Sequence, residues 1–404
     1  MTMHPSTHRL SSIGRACTLA ALLLTPGCDF LNNGTKNTPV KLPEILWSHP
    51  LSFFDIDSTV PHLDATHAYV AATRQLTRYE LDTGTQSWQV DLDLDLGISG
   101  RKVLGDAERV YLNDRAWVRA FDKPTGQLLW DTPLVGFSAI HLAVMAQNAT
   151  HLYLGGSDEV LRLRKHDGMI DLRIPIVELR PEGIDQSAHD PVVTDDGWLY
   201  VPTGYFVREN RATSGNLLAY DAETGAFRWG FEIPYHLIEV PEYNVIHRTG
   251  ATAYGATVDG DYVAFSAGQS AFALDRFTGA LHWEHFFEDQ GFDAAMTVDN
   301  GIFYVGSMQA SVTAFRLEDG EKLWERPLLG AGAGSLLTLL TLRDDHIVFT
   351  SGQLWMLDKH TGRLVWHAFP PDAREGAVYL SPAAVGRDHM VVVGSEQVYC
   401  LTRP

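Results

Sequence analysis

One eleven-residue pattern, Ala-x-Asp-x-x-Thr-Gly-x-x-x-Trp, returns along this chain at a near-constant interval. Recurrence at a fixed period constrains architecture more than any single element does. The pattern is complete at residues 120–130, 219–229 and 273–283, and nearly complete at 356–366. In the copy at 219–229, Leu217, Leu218 and Tyr220 form the β-prone end of one strand. Asp221 to Gly225 supply a turn whose glycine can take positive φ. Phe227 and Trp229 open the return strand at period two, so both are expected on one face. The unit is a β-hairpin, and a lone hairpin is marginal in water, so the copies must stack.

Aligned on the turn glycine and the aromatic position four residues later, seven hairpins emerge: Gly84/Trp88, Gly126/Trp130, Gly168/Leu172, Gly225/Trp229, Gly279/Trp283, Gly320/Trp324 and Gly362/Trp366. An eighth return strand, Ile45-Leu46-Trp47, has no hairpin before it. An eighth outgoing strand, Gln397-Val398-Tyr399-Cys400-Leu401, has no return after it. The two halves complement each other, which predicts that the N-terminal strand closes the last unit. The aromatic positions lie 41, 42, 42, 57, 54, 41 and 42 residues apart, enough for four short strands and their turns, the size of one propeller blade. The expected fold is therefore all-β, an eight-bladed propeller of four-stranded antiparallel blades. A count of seven stays open if the unit around Leu172 is degenerate. Closure protects strand edges that an open array would have to cap. Trp47, Trp88, Trp130, Trp229, Trp283, Trp324 and Trp366 are expected to dock blade on blade, each buried ring contributing about 2–3 kcal/mol.

Composition adds exclusions. With 31 basic and 50 acidic residues the chain carries −19, so it lacks the footprint of a nucleic-acid binder and has no attraction to anionic lipid heads. Three cysteines, Cys17, Cys28 and Cys400, form neither a C-x-x-C nor an adjacent pair, which leaves no zinc or disulfide framework. Arg9 and Arg15 precede a short apolar run, Ala16 to Leu24. That run is far below the roughly 20 residues of a membrane crossing and reads as a secretory signal. It ends in Leu24-Thr25-Pro26-Gly27-Cys28, which resembles a bacterial lipobox, although Thr25 and Pro26 depart from the usual residues. The resemblance implies acylation (palmitate) at Cys28. The chain then divides into a signal peptide at 1–27, a polar, turn-rich tether at 28–43 and a propeller at 44–404.

The repeat resembles the blade motif of the pyrroloquinoline-quinone (PQQ)-type propellers, with departures at Arg78/Glu80, Arg164/Asp167/Leu172 and Arg316/Asp319. One branch of that family, the quinoprotein dehydrogenases, binds quinone and calcium in the central channel. Many of them carry an adjacent cysteine pair, which this chain lacks, and its Glu/Asn/Asp calcium set matches no motif here. The other branch, the BamB lipoproteins of the outer-membrane β-barrel assembly machinery, is similar in size, lipobox, tether and unit count. That resemblance implies a non-catalytic protein-binding scaffold without a cofactor, facing the periplasm of a Gram-negative-type bacterium. Its partner would be an envelope protein, the barrel-assembly outer-membrane protein. The anchor is in the outer membrane by family, whereas Asp29 after the cysteine resembles an inner-membrane retention signal. A quinone-dependent dehydrogenase, or another ligand-binding envelope propeller, is the alternative.

In the BamB family an apolar-x-Leu-Arg segment contacts the barrel-assembly protein. The stretch Ile174-Pro175-Ile176-Val177-Glu178-Leu179-Arg180 resembles it, which implies partner-binding roles for Val177, Leu179 and Arg180. The family's second contact patch has two acids, and Gly250 and Thr252 stand there instead. The long intervals of 57 and 54 place surplus residues around 174–190, 207–214 and 235–250, and loops on a rigid scaffold are where binding concentrates.

Other constellations read as structure. Asp91-Leu92-Asp93-Leu94-Asp95-Leu96-Gly97 lacks the EF-hand glycine and glutamate, since Leu96 and Lys102 stand there. Strand alternation explains it, with Trp88, Val90, Leu92 and Leu94 facing in. Gly330-Ala331-Gly332-Ala333-Gly334-Ser335 has no P-loop lysine and suits the start of an innermost strand. His282 and His285, three apart on a strand, point to opposite faces and do not make a metal pair. Neither a nucleophile elbow nor a His-Glu-x-x-His appears. Cys400 reads as a small buried hydrophobe. No catalytic or metal-binding residue is expected.

Overall fold

The turn chemistry of the repeat fixes the outer hairpin of blades 1 to 7, counted in chain order. Asp221 Oδ1 accepts the Glu223 and Thr224 amides at 3.1 and 2.8 Å and the Thr224 hydroxyl at 2.8 Å. Asp275 and Asp358 repeat the arrangement. Gly225 N donates back to Asp221 O at 2.9 Å with φ +72°, the left-handed region that favours glycine. The threonine oxygen then accepts the amide beyond the glycine, as Thr224 does from Ala226 at 3.3 Å. Two departures from the motif keep these bonds by exchanging polarity. Arg164 and Arg316 pair with Asp167 and Asp319 at 2.5 and 2.7 Å, and those aspartates take the threonine's place in accepting the Met169 and Glu321 amides.

The structure is a computed structural model. It describes residues 43–51, 60–72, 74–92, 102–114, 116–135, 145–179, 183–207, 212–240, 245–248, 252–328, 339–370 and 378–403. Cys17, Cys28, Asp29, Arg180, Gly250 and the 330–335 glycine run lie outside them, as do Asp93 to Gly97. Eight antiparallel blades follow in chain order: 62–91, 104–133, 146–175, 192–232, 257–286, 292–327, 341–368 and 384–402. The last is completed by Ile45–Pro50, which pairs with Gln397–Thr402, so the N-terminal strand closes the ring. The unit around Leu172 is a full blade, and the count is eight.

The return strand departs from the period-two expectation. A bulge sets Tyr220 opposite Phe227 and Ala219 opposite Trp229. Phe227 therefore meets Tyr220 edge-on at 5.7 Å, on the side facing blade 3, while Trp229 joins the core shared with blade 5. The two aromatics point to opposite faces because the extra bulge residue, Arg228, shifts the alternation. Every complete hairpin carries the same bulge.

Trp47, Trp88, Trp130, Trp229, Trp283 and Trp324 each lie against the turn of the next blade. A Cβ added to Gly84 would meet Trp47 at 2.6 Å, and one added to Gly279 would meet Trp229 at 2.6 Å. The indole nitrogens of Trp47, Trp88, Trp130, Trp229, Trp283 and Trp324 donate to the carbonyls of Leu81, Lys123, Lys165, Arg276, Leu317 and Lys359 at 2.7–3.1 Å. Alanine opposite Trp130, Trp229, Trp283 and Trp324 leaves room for the ring, and Cys400 fills that role opposite Trp47. Burial pushes its thiol up to about 12, leaving it inert. Blade 3 has Leu172, which cannot donate. Its cross-strand partner Arg162 reaches the Ala222 and Glu223 carbonyls of blade 4 instead, at 3.0 and 2.6 Å.

The residue that offers the carbonyl often adds an ion pair to the preceding blade. Lys123 meets Asp64 at 3.7 Å, Lys165 meets Asp106 at 4.0 Å, Arg276 meets Asp196 at 2.6 Å and Lys359 meets Asp299 at 2.7 Å. Arg403 meets Asp344 in the same way.

Trp366 breaks the indole pattern: its nitrogen is buried without a partner. Trp229→Phe is accordingly expected to cost about 1 kcal/mol more stability than Trp366→Phe, the worth of one hydrogen bond. Chemical denaturation of the two variants reads the difference, and equal costs would show that the indole bonds contribute nothing net.

Candidate functional site

Blade topology sorts the connections onto two ends. The Thr-Gly turns lie at one end. The turns between second and third strands, and the blade-to-blade crossovers, lie at the other. The surplus residues of the long intervals all emerge at this second end. In blade 4 the second strand, Trp198–Val207, runs ten residues where its counterparts run five or six. Its first half pairs within the blade through Val192–Val193 and Asn216–Asp221. Its second half is flanked by Gly183–Ala188 on one side and Ala212–Ser214 on the other, which builds a small sheet beyond the blade. The crossover to blade 5 adds a two-stranded hairpin, Leu237–Val240 with Val245–Arg248.

The 176–179 segment enters this sheet across the side of blade 4 that faces blade 3. The Val177 amide donates to Tyr220 Oη at 3.0 Å, and burial pushes that phenol up to about 12, so it stays protonated. Gln186 Nε2 donates to the Val177 carbonyl at 3.5 Å. Leu179 seats on Gly230, where an added Cβ would stand 2.8 Å from its Cδ1. Val177 and Leu179 are thus half-buried against the core shared by blades 3 and 4. Both anchor the segment from which Arg180 follows. The residue after the tryptophan is Gln, Asp, Glu, Glu and His in blades 1, 2, 5, 6 and 7, and Arg173 follows Leu172 in blade 3; in blade 4 it is Gly230. That lone glycine was the sequence signal for a segment lying on the strand.

The added sheet is polar inside. Register places Thr203, Tyr205, Ser214 and Asn216 on one face. All four are buried, and Tyr205 Oη, Ser214 Oγ and both carboxamide atoms of Asn216 have no partner. Buried polar groups left unsatisfied cost about 1–3 kcal/mol each and concentrate where structure serves something besides stability. Phe206 on the extended strand and Tyr235 on the crossover are exposed at this end, as are Val135, Met308 and Phe369 on other connections.

Among the described residues no three His, Cys, Asp or Glu side chains come together as a metal site. His282 bonds the Glu318 carbonyl at 2.5 Å, while His285 packs on Phe287 and Phe315, so the two are engaged separately. Leu92 is buried and Asp91 exposed, as alternation requires. Thr252 packs against Gly204 of the added sheet.

Fold and site together define a PQQ-like β-propeller with one elaborated end. The family profile described as outer membrane protein assembly factor BamB matches residues 43–168, 114–268 and 247–403. The chain belongs to that family. The outer membrane protein assembly factor BamB of Yersinia pestis is 24% identical over 270 residues, spanning 62% of this chain and 59% of that protein. The crystal structure of BamB from Moraxella catarrhalis superposes with a TM-score of 0.62 at 16% identity, covering 90% of this chain and 100% of that one. A quinohemoprotein alcohol dehydrogenase from Pseudomonas putida gives 0.64 at 13% identity, covering 89% and 76%. At such identities the structural matches describe the fold alone.

Proposed function

We propose that this chain is a non-catalytic scaffold of the bacterial cell envelope that docks a protein of the outer-membrane assembly machinery. In this reading acylated Cys28 anchors it, residues 28–43 tether it, and the propeller faces the periplasm from the outer membrane. The observation that carries the proposal is the concentration of added structure at one end of blade 4 and its crossover, beside exposed Phe206 and Tyr235. A rigid ring presenting such elements binds without moving parts, and the short added strands offer edges for strand pairing. Family membership supplies the class of partner. Val177 and Leu179 set the segment in place, and Arg180 supplies a charge to the partner.

Affinity capture from envelope extracts tests this. The wild-type protein is expected to retain a barrel-assembly outer-membrane protein, and Arg180→Glu combined with Leu179→Ala to lose it. Arg180→Glu alone separates the charge from the seat on Gly230. Unchanged capture by the double variant would overturn the docking site. Stoichiometric binding of pyrroloquinoline quinone with calcium, accompanied by dye reduction, would overturn the non-catalytic reading.

A further inference from the structure

Between the closing strand and blade 1 lies a cavity of about 400 Å³. Thr77, in its lining, stands where most blades carry a larger side chain. The position before the tryptophan's cross-strand partner carries Leu161, Leu218, Phe272, Trp355 and Tyr399 in blades 3, 4, 5, 7 and 8, each buried in its junction. Blade 1 has Thr77 there, and the space those large side chains fill is open. Thr313 of blade 6, also small, is fully buried.

The walls of the cavity are His49, Gln75, Thr77, Tyr79, Gln86 and Gln89, over a floor that includes Val70 and Val398. None of these side chains is an acid, a lysine or an arginine. The His49 ring stacks on Tyr79 at 4.7 Å, and its Nε2 is held by the Gly84 carbonyl at 2.7 Å, which leaves Nδ1 as an acceptor. Gln75 is steadied by Asp91 at 2.9 Å, and Gln86 by Gln89 at 3.2 Å. Each carboxamide keeps both donor and acceptor capacity for a ligand. A lining without acids, lysines or arginines does not select phosphate or carboxylate, and one richer in polar than apolar surface does not select an acyl chain. Paired donors and acceptors above a small apolar floor match a ring with hydroxyls at its rim and C–H groups on its face.

We propose that this cavity is a binding site for a neutral saccharide of one or two pyranose rings. The site lies at the closing junction, away from the elaborated end of blade 4, and stands independently of the scaffold role. Saturation-transfer NMR and calorimetry on the purified protein, with methyl α-D-glucopyranoside, maltose and diacetylchitobiose as probes, provide the test. At least one of the three is expected to bind saturably. Thr77→Trp, which restores the side chain of blade 7, should weaken it at least about tenfold. Gln89→Ala, at an exposed position that puts no folding at risk, should weaken it about fivefold. The proposal is overturned if none of the three binds the wild-type protein saturably, or if Gln89→Ala or a folded Thr77→Trp binds as the wild type does.

Discussion

Trp47→Ala is expected to lower the free energy of unfolding by about 4 kcal/mol, in the upper part of the range for truncating a buried large side chain. Trp47 is 8% exposed and belongs to a cluster built from both sides of the closing junction, with Val391, Val398 and Cys400 of blade 8 and Ala68, Val70 and Tyr79 of blade 1. Its indole nitrogen donates to the Leu81 carbonyl at 2.7 Å, and its ring covers the Gly84 turn. Removing it leaves a cavity, reduces the buried Leu81 carbonyl to its weak bond from the Cys400 thiol at 3.7 Å, and loosens the one strand that arrives from the opposite end of the chain. Ring closure is also where chain entropy opposes assembly most, because the paired residues are separated by nearly the whole sequence. Leu46→Ala, in the same strand but 42% exposed, is expected to change stability by less than about 1 kcal/mol. Denaturant titration of both variants gives the comparison. A Trp47→Ala variant no less stable than Leu46→Ala would mean that hydrogen bonding to Gln397–Thr402 alone holds the ring shut.

That closure was legible in the sequence because its signals are local and repeated. Turn glycine, capping aspartate and return-strand tryptophan sit within eleven residues, and two half-units with no partner of their own can only complete each other. The bulge that turns Phe227 away from Trp229 was not legible, since simple alternation has no term for an extra residue. The compensation at Leu172 was hidden for another reason. Arg162 and the carbonyls it reaches lie 60 and 61 residues apart and meet only once blades stack. The inter-blade ion pairs did leave a trace: Asp64/Lys123, Asp106/Lys165, Asp299/Lys359 and Asp344/Arg403 recur 59 or 60 residues apart, one blade period plus the offset between an inner and an outer turn. In the candidate site, the surplus lengths announced added structure but not its form. Gly183–Ala188 and Ala212–Ser214 become strands because the long second strand of blade 4 offers them edges, a tertiary circumstance. The seat of Leu179 was present in sequence only as the absence of a side chain at Gly230.

Acidification from pH 6.5 to 4 is expected to cost the propeller stability at the junction of blades 1 and 2, with His62 as the main contributor there. His62 Nε2 accepts a hydrogen bond from Lys123 Nζ at 3.1 Å, so the imidazole is neutral with its proton on Nδ1. Burial is the largest influence on it. Lys123 and Lys102 add to the depression, Asp64 and Asp106 oppose it, and its pKa settles at about 4. The unfolded chain takes up this proton near 6.5 and the folded one near 4. The stabilisation is therefore complete above about pH 6.5, fades as pH falls, and is gone below about 4, a swing on the order of 3 kcal/mol. Asp64 adds a second step in the same direction. Burial pushes its carboxyl up, but the Thr66 and His67 amides, the Tyr69 hydroxyl and Lys123 together bring it down to about 2, so its contribution disappears as pH falls from about 4 to 2. His62→Gln keeps an acceptor for Lys123 without a titrating group. Subtracting its stability–pH curve from that of the wild type removes the contributions of His285 and His367, whose pKa values are also lowered by burial. The difference should slope between pH 6.5 and 4 and be flat above and below. A difference flat across that whole window would show that His62 is solvated, and that Lys123 takes its partner from Asp64 alone.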